Sequence, residues 1–146
     1  MPRAVIRFYR PTQPCFIFSN FSLFFIYLKG KTWSTTEHYY QAQKFIGTKW
    51  EEEVRILKTP KEAARLGRNN SLPLRENWEE VKDNIMYEAL HAKFTQHPEL
   101  KAALPHTGSS VLIEDSPKDY YWGCGKDGSG KNKLGRLLVQ LREELR

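Results

Sequence analysis

The chain has 146 residues, 40% of them hydrophobic and 27% charged, which fits one globular domain and excludes disordered, collagenous and low-complexity classes. Twenty-three basic and 17 acidic residues leave a net charge of +6, a bias toward anionic partners such as phosphates or nucleic acid. Cys15 and Cys124 form neither a disulfide framework nor a CxxC pair, so a reducing cytoplasm is the expected location.

The longest apolar run covers residues 16–28 and follows Arg3, Arg7 and Arg10. Polar Ser19, Asn20 and Ser22 interrupt it, and no small-residue cleavage site closes it. It is therefore read as two core strands, not as a signal peptide or a membrane span. Residues 5–9 alternate weakly and predict a first strand. Residues 24–28 are aromatic and β-branched, Lys29-Gly30-Lys31 signals a turn, and Thr32-Trp33 begins a short return strand.

The pattern then becomes helical. Ser34-x-x-Glu37 reads as a capping box, with Ser34 capping a helix over residues 35–45 and Glu37 reaching back. That helix ends near Gly47, and a second helical stretch covers residues 50–57. Thr59-Pro60-x-Glu62 is another capping box, opening a short helix that stops at Gly67. The longest helix starts at Asn77-Trp78 and runs to about Phe94. Its apolar stripe is Trp78, Val81, Ile85 and Ala89, with Leu90 and Phe94 alongside. Pro98 opens another short helix to Leu104, and residues 111–114 read as a strand. Residues 123–130 form a glycine-rich loop, after which Asn132 caps a final helix bearing Leu134, Leu137, Leu138, Leu141 and Leu145. Strands near both ends with helices between them predict an α+β fold in one domain over residues 1–146.

Two glycine motifs fail on inspection. Residues 125–132 miss the P-loop pattern by one position, because Asn132 stands where a magnesium-binding hydroxyl is required. Gly123-x-Gly125-x-x-Gly128 fits GxGxxG but lacks the βαβ setting that makes the motif meaningful. Two readings of the loop stay open: backbone amides with Lys126 and Lys131 around an anion, or a solvent loop with turn glycines. His38, His91, His97 and His106 show no ligand spacing, so no metal site is expected.

One helix has the residue types for chemistry. Glu37, Gln41 and Lys44 stand at i, i+4 and i+7 and share a face, while Tyr39, Ala42 and Phe45 form an apolar neighbour. An amine in an aromatic, partly apolar setting loses its proton more readily and becomes a nucleophile. A carboxylate in the same column can shuttle protons. Spacing alone describes a solvated face better, with Glu37 used in capping.

This helix, Glu37-His-Tyr-Tyr-Gln41-Ala-Gln-Lys44-Phe, is one block of a wider resemblance. Others are Phe18-Ser-Asn20-Phe, Gly30-Lys-Thr-Trp33, Ala63-Ala-Arg65-Leu-Gly67-Arg68 and Arg75-x-x-Trp78. Met86, Ala92-Lys93-Phe94, Leu141-Arg142 and the segment from Asp119 through Trp122 and the glycine loop to Gly135 complete it. The chain resembles the YbiA-like, or NADAR domain, family over nearly its whole length. The resemblance implies a compact helix-rich α+β domain with a small β-sheet that hydrolyses N-glycosidic bonds. It implies two substrate classes: phosphoribosylamino-pyrimidine intermediates of riboflavin synthesis, and ADP-ribose attached to guanine in nucleic acid.

The resemblance also assigns residues. Lys44 forms a Schiff base with the opened ribose, and Glu37 is the acid-base carboxylate. This assignment reverses the preference for a solvated face. Asn20, Gln41 and Asp119 are implied sugar contacts, and Trp33, Trp78 and Trp122 are implied base-stacking residues. Arg65, Arg68 and the amides from Gly125 through Gly130 to Asn132 are implied phosphate contacts, with Gly123 in the same binding loop. The scheme needs no metal, no redox cofactor and no membrane. A rival of another class is a non-catalytic module binding ADP-ribose or nucleic acid, for which the positive charge and the aromatics speak.

Overall fold

A computed structural model describes residues 3–146. In chain order the elements are β1 (Val5–Phe8), a 3-10 helix (Pro14–Phe18), β2 (Ile26–Leu28), β3 (Lys31–Trp33), α1 (Thr36–Gln43), α2 (Lys49–Arg55), α3 (Pro60–Gly67), α4 (Trp78–Gln96), α5 (Pro98–His106), β4 (Val111–Glu114) and α6 (Lys133–Glu144). The fold class is α+β, as expected. The strands form two separate two-stranded ladders, β1 with β4 and β2 with β3, in place of one small sheet. Among the described residues, no helix is long and apolar enough to cross a membrane. Contacts divide the chain into two units, one over Leu23–Gln96 and one combining Met1–Ser22 with His97–Arg146.

In the Leu23–Gln96 unit, β2 and β3 pair antiparallel with Ile26 opposite Trp33 and Leu28 opposite Lys31. The two-residue turn between them needs positive φ at both positions. Gly30 supplies it without steric cost at +75°, and Lys29 adopts +54°. Trp33 closes the hairpin from inside: its indole Nε1 donates to the Leu28 carbonyl at 3.0 Å. Its ring meets the edge of Tyr39 at 5.1 Å.

Helix α1 starts one residue later than the sequence suggests. Thr35, in extended conformation, is the cap, and its hydroxyl accepts from the His38 amide at 3.1 Å. The Ser34–Glu37 capping box is therefore not formed. The third helical position belongs to His38, whose ring also meets the Thr35 hydroxyl at 2.8 Å. Every residue of α1 is buried, and α2, α3 and α4 all pack on it. The second capping box forms as expected, with Thr59 accepting from the Glu62 amide at 3.1 Å and Pro60 opening α3. In α4, Trp78, Ile85, Ala89, Leu90 and Phe94 are buried, joined by Met86 and Ala92, while Val81 is only half-buried.

In the second unit, β1 and β4 run parallel, with Val5 opposite Val111 and Phe8 opposite Glu114. The expected core strand at the start of the apolar run is instead the 3-10 helix Pro14–Phe18. Pro14 at its first turn fixes a helical φ, and a proline nitrogen has no hydrogen for a ladder. Phe18 still reaches the core, edge-on to Phe8 at 5.9 Å. Helix α6 buries Leu134, Leu138 and Leu141, and it packs on β4. Asn132 precedes α6 at a φ of +51°, but its side chain makes no cap. Its Oδ1 accepts from the Glu114 amide and its Nδ2 donates to the Leu112 carbonyl, both at 2.9 Å, so it extends the β4 ladder.

Candidate active site on helix α1

With Thr35 as the cap in place of Ser34, Glu37 does not take the capping position that the sequence suggests. Glu37 and Gln41 are nevertheless only 7% and 3% exposed, so the column is not a solvated face. Gln41 donates from Nε2 to Glu37 Oε1 at 3.3 Å, which fixes the carboxylate one turn before the amide. The other amide atom, Oε1, is buried and accepts no hydrogen bond. An unpaired buried acceptor costs about 1–3 kcal/mol.

Gly67 explains how α3 comes so near. A methyl group on Gly67 would overlap Gln41 Oε1 and stand 2.9 Å from Gln41 Cβ. The close approach also places the Gly67 carbonyl 3.1 Å from Lys44 Nζ, which donates to it. The Lys44 ammonium lies 5.7 Å from the Tyr40 ring centre and 5.9 Å from that of Trp78. These two rings meet edge to face at 5.1 Å. The backbone at Lys44 is held too, because its carbonyl accepts from the Arg75 amide at 2.9 Å.

Burial pushes the pKa of Lys44 below the ordinary lysine value. Glu37 opposes that shift, and the positive charges of Arg68 and Lys82 reinforce it. The result is an amine that gives up its proton more easily than a surface lysine does. It faces a cavity of about 330 Å³ whose walls include Gly67, Arg68, Asn70, Leu74 and Trp78. An amine, a buried carboxylate, a guanidinium and an indole thus belong to one unit.

The other implied residues divide. Trp33 is 1% exposed and its indole N–H is already bonded, so the structure gives it a core role in place of base stacking. Arg65 is exposed and does not line the Lys44 cavity, whereas Arg68 does. Asn20 is buried in the second unit. Asp119 accepts from the Tyr121 and Trp122 amides at 3.0 and 2.8 Å, which ties a turn. Trp122 is half-buried with its ring edge-on to Tyr121.

The glycine-loop amides have protein partners. Gly125 donates to Ser116, Gly130 to Cys124, Lys131 to Tyr120 and Asn132 to Gly123, all carbonyls. The expected cradle of free amides is therefore absent. The glycines permit tight packing instead: a Cβ would meet backbone at Gly123 and Gly130, and the Tyr120 ring at Gly125. Sequence reasoning missed Asn70 and Leu74, which sit in a loop without periodicity. The sequence does not single out Tyr40, because its place beside Lys44 depends on how α4 presents Trp78.

Fold and site together define an α+β protein with a half-buried lysine amine at the end of a helix that carries a buried carboxylate. The NADAR domain pattern matches residues 7–146, and the chain belongs to that family. It is 50% identical over 145 residues to N-glycosidase YbiA of Escherichia coli, covering 99% of this chain and 91% of that one. An N-glycosidase of Nostoc punctiforme is 45% identical over 144 residues, with 97% and 92% covered. The riboflavin biosynthesis protein PYRR of Zea mays is 42% identical, and the match spans 97% of this chain and 25% of the maize protein. The NMR structure of the Escherichia coli YbiA superimposes with a TM-score of 0.92 over 99% of this chain and 86% of that one. The chain is a hydrolase of the N-glycosidase class.

Proposed function

We propose that the chain releases an amine-linked base from a phosphorylated riboside through an imine at Lys44. The observation that carries this is the half-buried Lys44 amine, its pKa lowered by burial, in a cavity with Arg68 and Trp78 and in electrostatic contact with Glu37. When the ribose ring opens, the anomeric carbon is held to the exocyclic nitrogen of the base as an imine. The neutral Lys44 amine adds to that carbon and passes one of its protons to the base nitrogen, and Glu37, acting as the acid, gives that nitrogen the second proton it needs to depart. The base leaves as a free amine, and the sugar remains as an imine on Lys44. Water, deprotonated by Glu37, adds to that imine, returns the amine and frees the sugar. Arg68 suits a phosphate, and the unpaired Gln41 Oε1 suits a sugar hydroxyl.

The preferred substrate is a phosphoribosylamino-pyrimidine of the riboflavin route. The names of the maize relative and of a Vibrio vulnificus relative 39% identical to this chain, both riboflavin biosynthesis proteins, support it. The +6 charge favours a second substrate, ADP-ribose on guanine in nucleic acid. Both carry an amine-linked base on a phosphorylated ribose. The test is base release from each substrate, followed by chromatography, with borohydride added to capture the imine. Wild type is expected to release base and to gain a covalent adduct on Lys44. Full turnover in Lys44→Ala would overturn the mechanism. Tight binding with no release from either substrate would favour the non-catalytic module.

A further inference from the structure

A second cavity, of about 390 Å³, lies within the unit formed by Met1–Ser22 and His97–Arg146. Arg3, Lys131, Arg136 and Arg142 line it together with Ser110 and Val139, and no carboxylate is among its lining residues. Four cations around one hollow repel each other unless an anion joins them.

Two of these cations are informative. Arg142 is 3% exposed. Its Nη1 donates to Thr107 Oγ1 at 2.9 Å and to the Ser110 carbonyl at 2.8 Å. Its Nε meets Glu143 at 3.4 Å, and Glu143 gives its other oxygen to Arg146 at 3.5 Å. Nη2 has no acceptor among the described residues, so a buried guanidinium keeps one edge unpaired beside the cavity. A guanidinium edge fits a tetrahedral oxyanion. Arg136 is exposed on α6, and its guanidinium makes no hydrogen bond or ion pair among the described residues. Lys131 extends over the Tyr121 ring at 5.4 Å, which keeps its charge available.

We propose that this cavity is a phosphate-binding site, held by the side chains of Arg136, Arg142 and Lys131. The glycine-loop amides play no part in it, because they are already bonded within the protein. The phosphate can belong to a small phosphate ester or to a nucleic-acid backbone, and the two sources are separable by experiment. The site is read by binding alone, so it stands or falls independently of the imine chemistry at Lys44.

The experiment is calorimetric titration of the full chain at low salt with inorganic pyrophosphate and, separately, with an eight-nucleotide single-stranded DNA. Wild type is compared with Arg136→Ala, Lys131→Ala and Lys44→Ala. Arg136 and Lys131 are exposed, so their removal leaves the fold intact, which a thermal melt checks. Binding is expected to weaken by about tenfold or more in Arg136→Ala and Lys131→Ala, the loss of one charge-assisted contact each. It is expected to persist in Lys44→Ala. Pyrophosphate binding alone assigns the site to small phosphate esters, and tighter, strongly salt-dependent binding of the oligonucleotide assigns it to a nucleic-acid backbone. The proposal is overturned if wild type binds neither probe at millimolar concentration. It is equally overturned if Arg136→Ala and Lys131→Ala bind as wild type does, or if only Lys44→Ala loses binding.

Discussion

Lys44 rests its ammonium on the Gly67 carbonyl at 3.1 Å, and the same glycine presses its Cα side against Gln41. One residue of α3 therefore sets both the amine and the amide of the α1 column. Gly67→Ala is expected to cost about 1–3 kcal/mol, the range for overpacking a filled site. Turnover should fall with it, because the added methyl displaces Gln41 and with it Glu37. Adding Gln41→Ala to the variant should recover part of the stability but not the turnover. Urea melts and kcat for the three proteins check this. Equal stability of Gly67→Ala and wild type would contradict the packing argument.

The lowered pKa of Lys44 fixes the direction of a pH profile. In the folded protein the amine loses its proton below 10.5, the ordinary lysine value, while the unfolded chain still holds it. Between those two points the unfolded state binds more protons, so this group's contribution to stability rises with pH through that window. Below the folded pKa the burial penalty on the ammonium is present in full. Borohydride trapping should rise with pH along the same titration, with its midpoint below 10.5. Lys44→Arg, which cannot lose its proton in this range, should give no adduct at any pH.

Glu37→Gln separates binding from chemistry. The glutamine keeps an oxygen for the Gln41 amide, so the column retains its shape. It has no proton to give. Turnover is expected to drop by about 10²–10⁴, the usual worth of a positioned acid-base group, while substrate affinity changes little. Single-turnover release beside equilibrium binding measures both, and undiminished release would remove Glu37 from the mechanism.

The position of the α1 cap can be tested by two neighbouring hydroxyls. Thr35→Ala removes the acceptor of the His38 amide and a partner of its ring. About 1 kcal/mol of stability should be lost. Ser34→Ala should stay within about 0.5 kcal/mol, as for an exposed residue outside a cap. The reverse order would restore the Ser34–Glu37 box.

Much of this was legible in the sequence, where one local rule decided the outcome. Lys29-Gly30 marks its turn because the left-handed backbone favours glycine. Thr59-Pro60 marks its helix because the cap and the proline act within three residues. Strand β4 falls at residues 111–114 as expected. The failures arise where rules compete. Ser34 and Thr35 are both good caps, and the choice followed from burial of the whole of α1. The glycine loop has the composition of an anion cradle, yet its amides found carbonyl partners in the turns just before them. Asn132 chose the β4 backbone over its own helix. For the site, the spacing of Glu37, Gln41 and Lys44 was visible, but burial of the column and the role of Gly67 depend on α3, which no local pattern reports.

The parallel pairing of Val5–Phe8 with Val111–Glu114 has a consequence for synthesis. A chain emerging amino end first presents β1 long before its partner exists. The Leu23–Gln96 stretch, by contrast, is continuous and can collapse on its own neighbours once its last helix has left the ribosome. The early strand must wait as an unpaired edge while an entire helical unit forms behind it. Closing so distant a pair costs loop entropy, and folding slows as contacts become less local. Shortening that wait, for instance by circular permutation that brings the two strands close in sequence, should speed refolding more than any change within the helices.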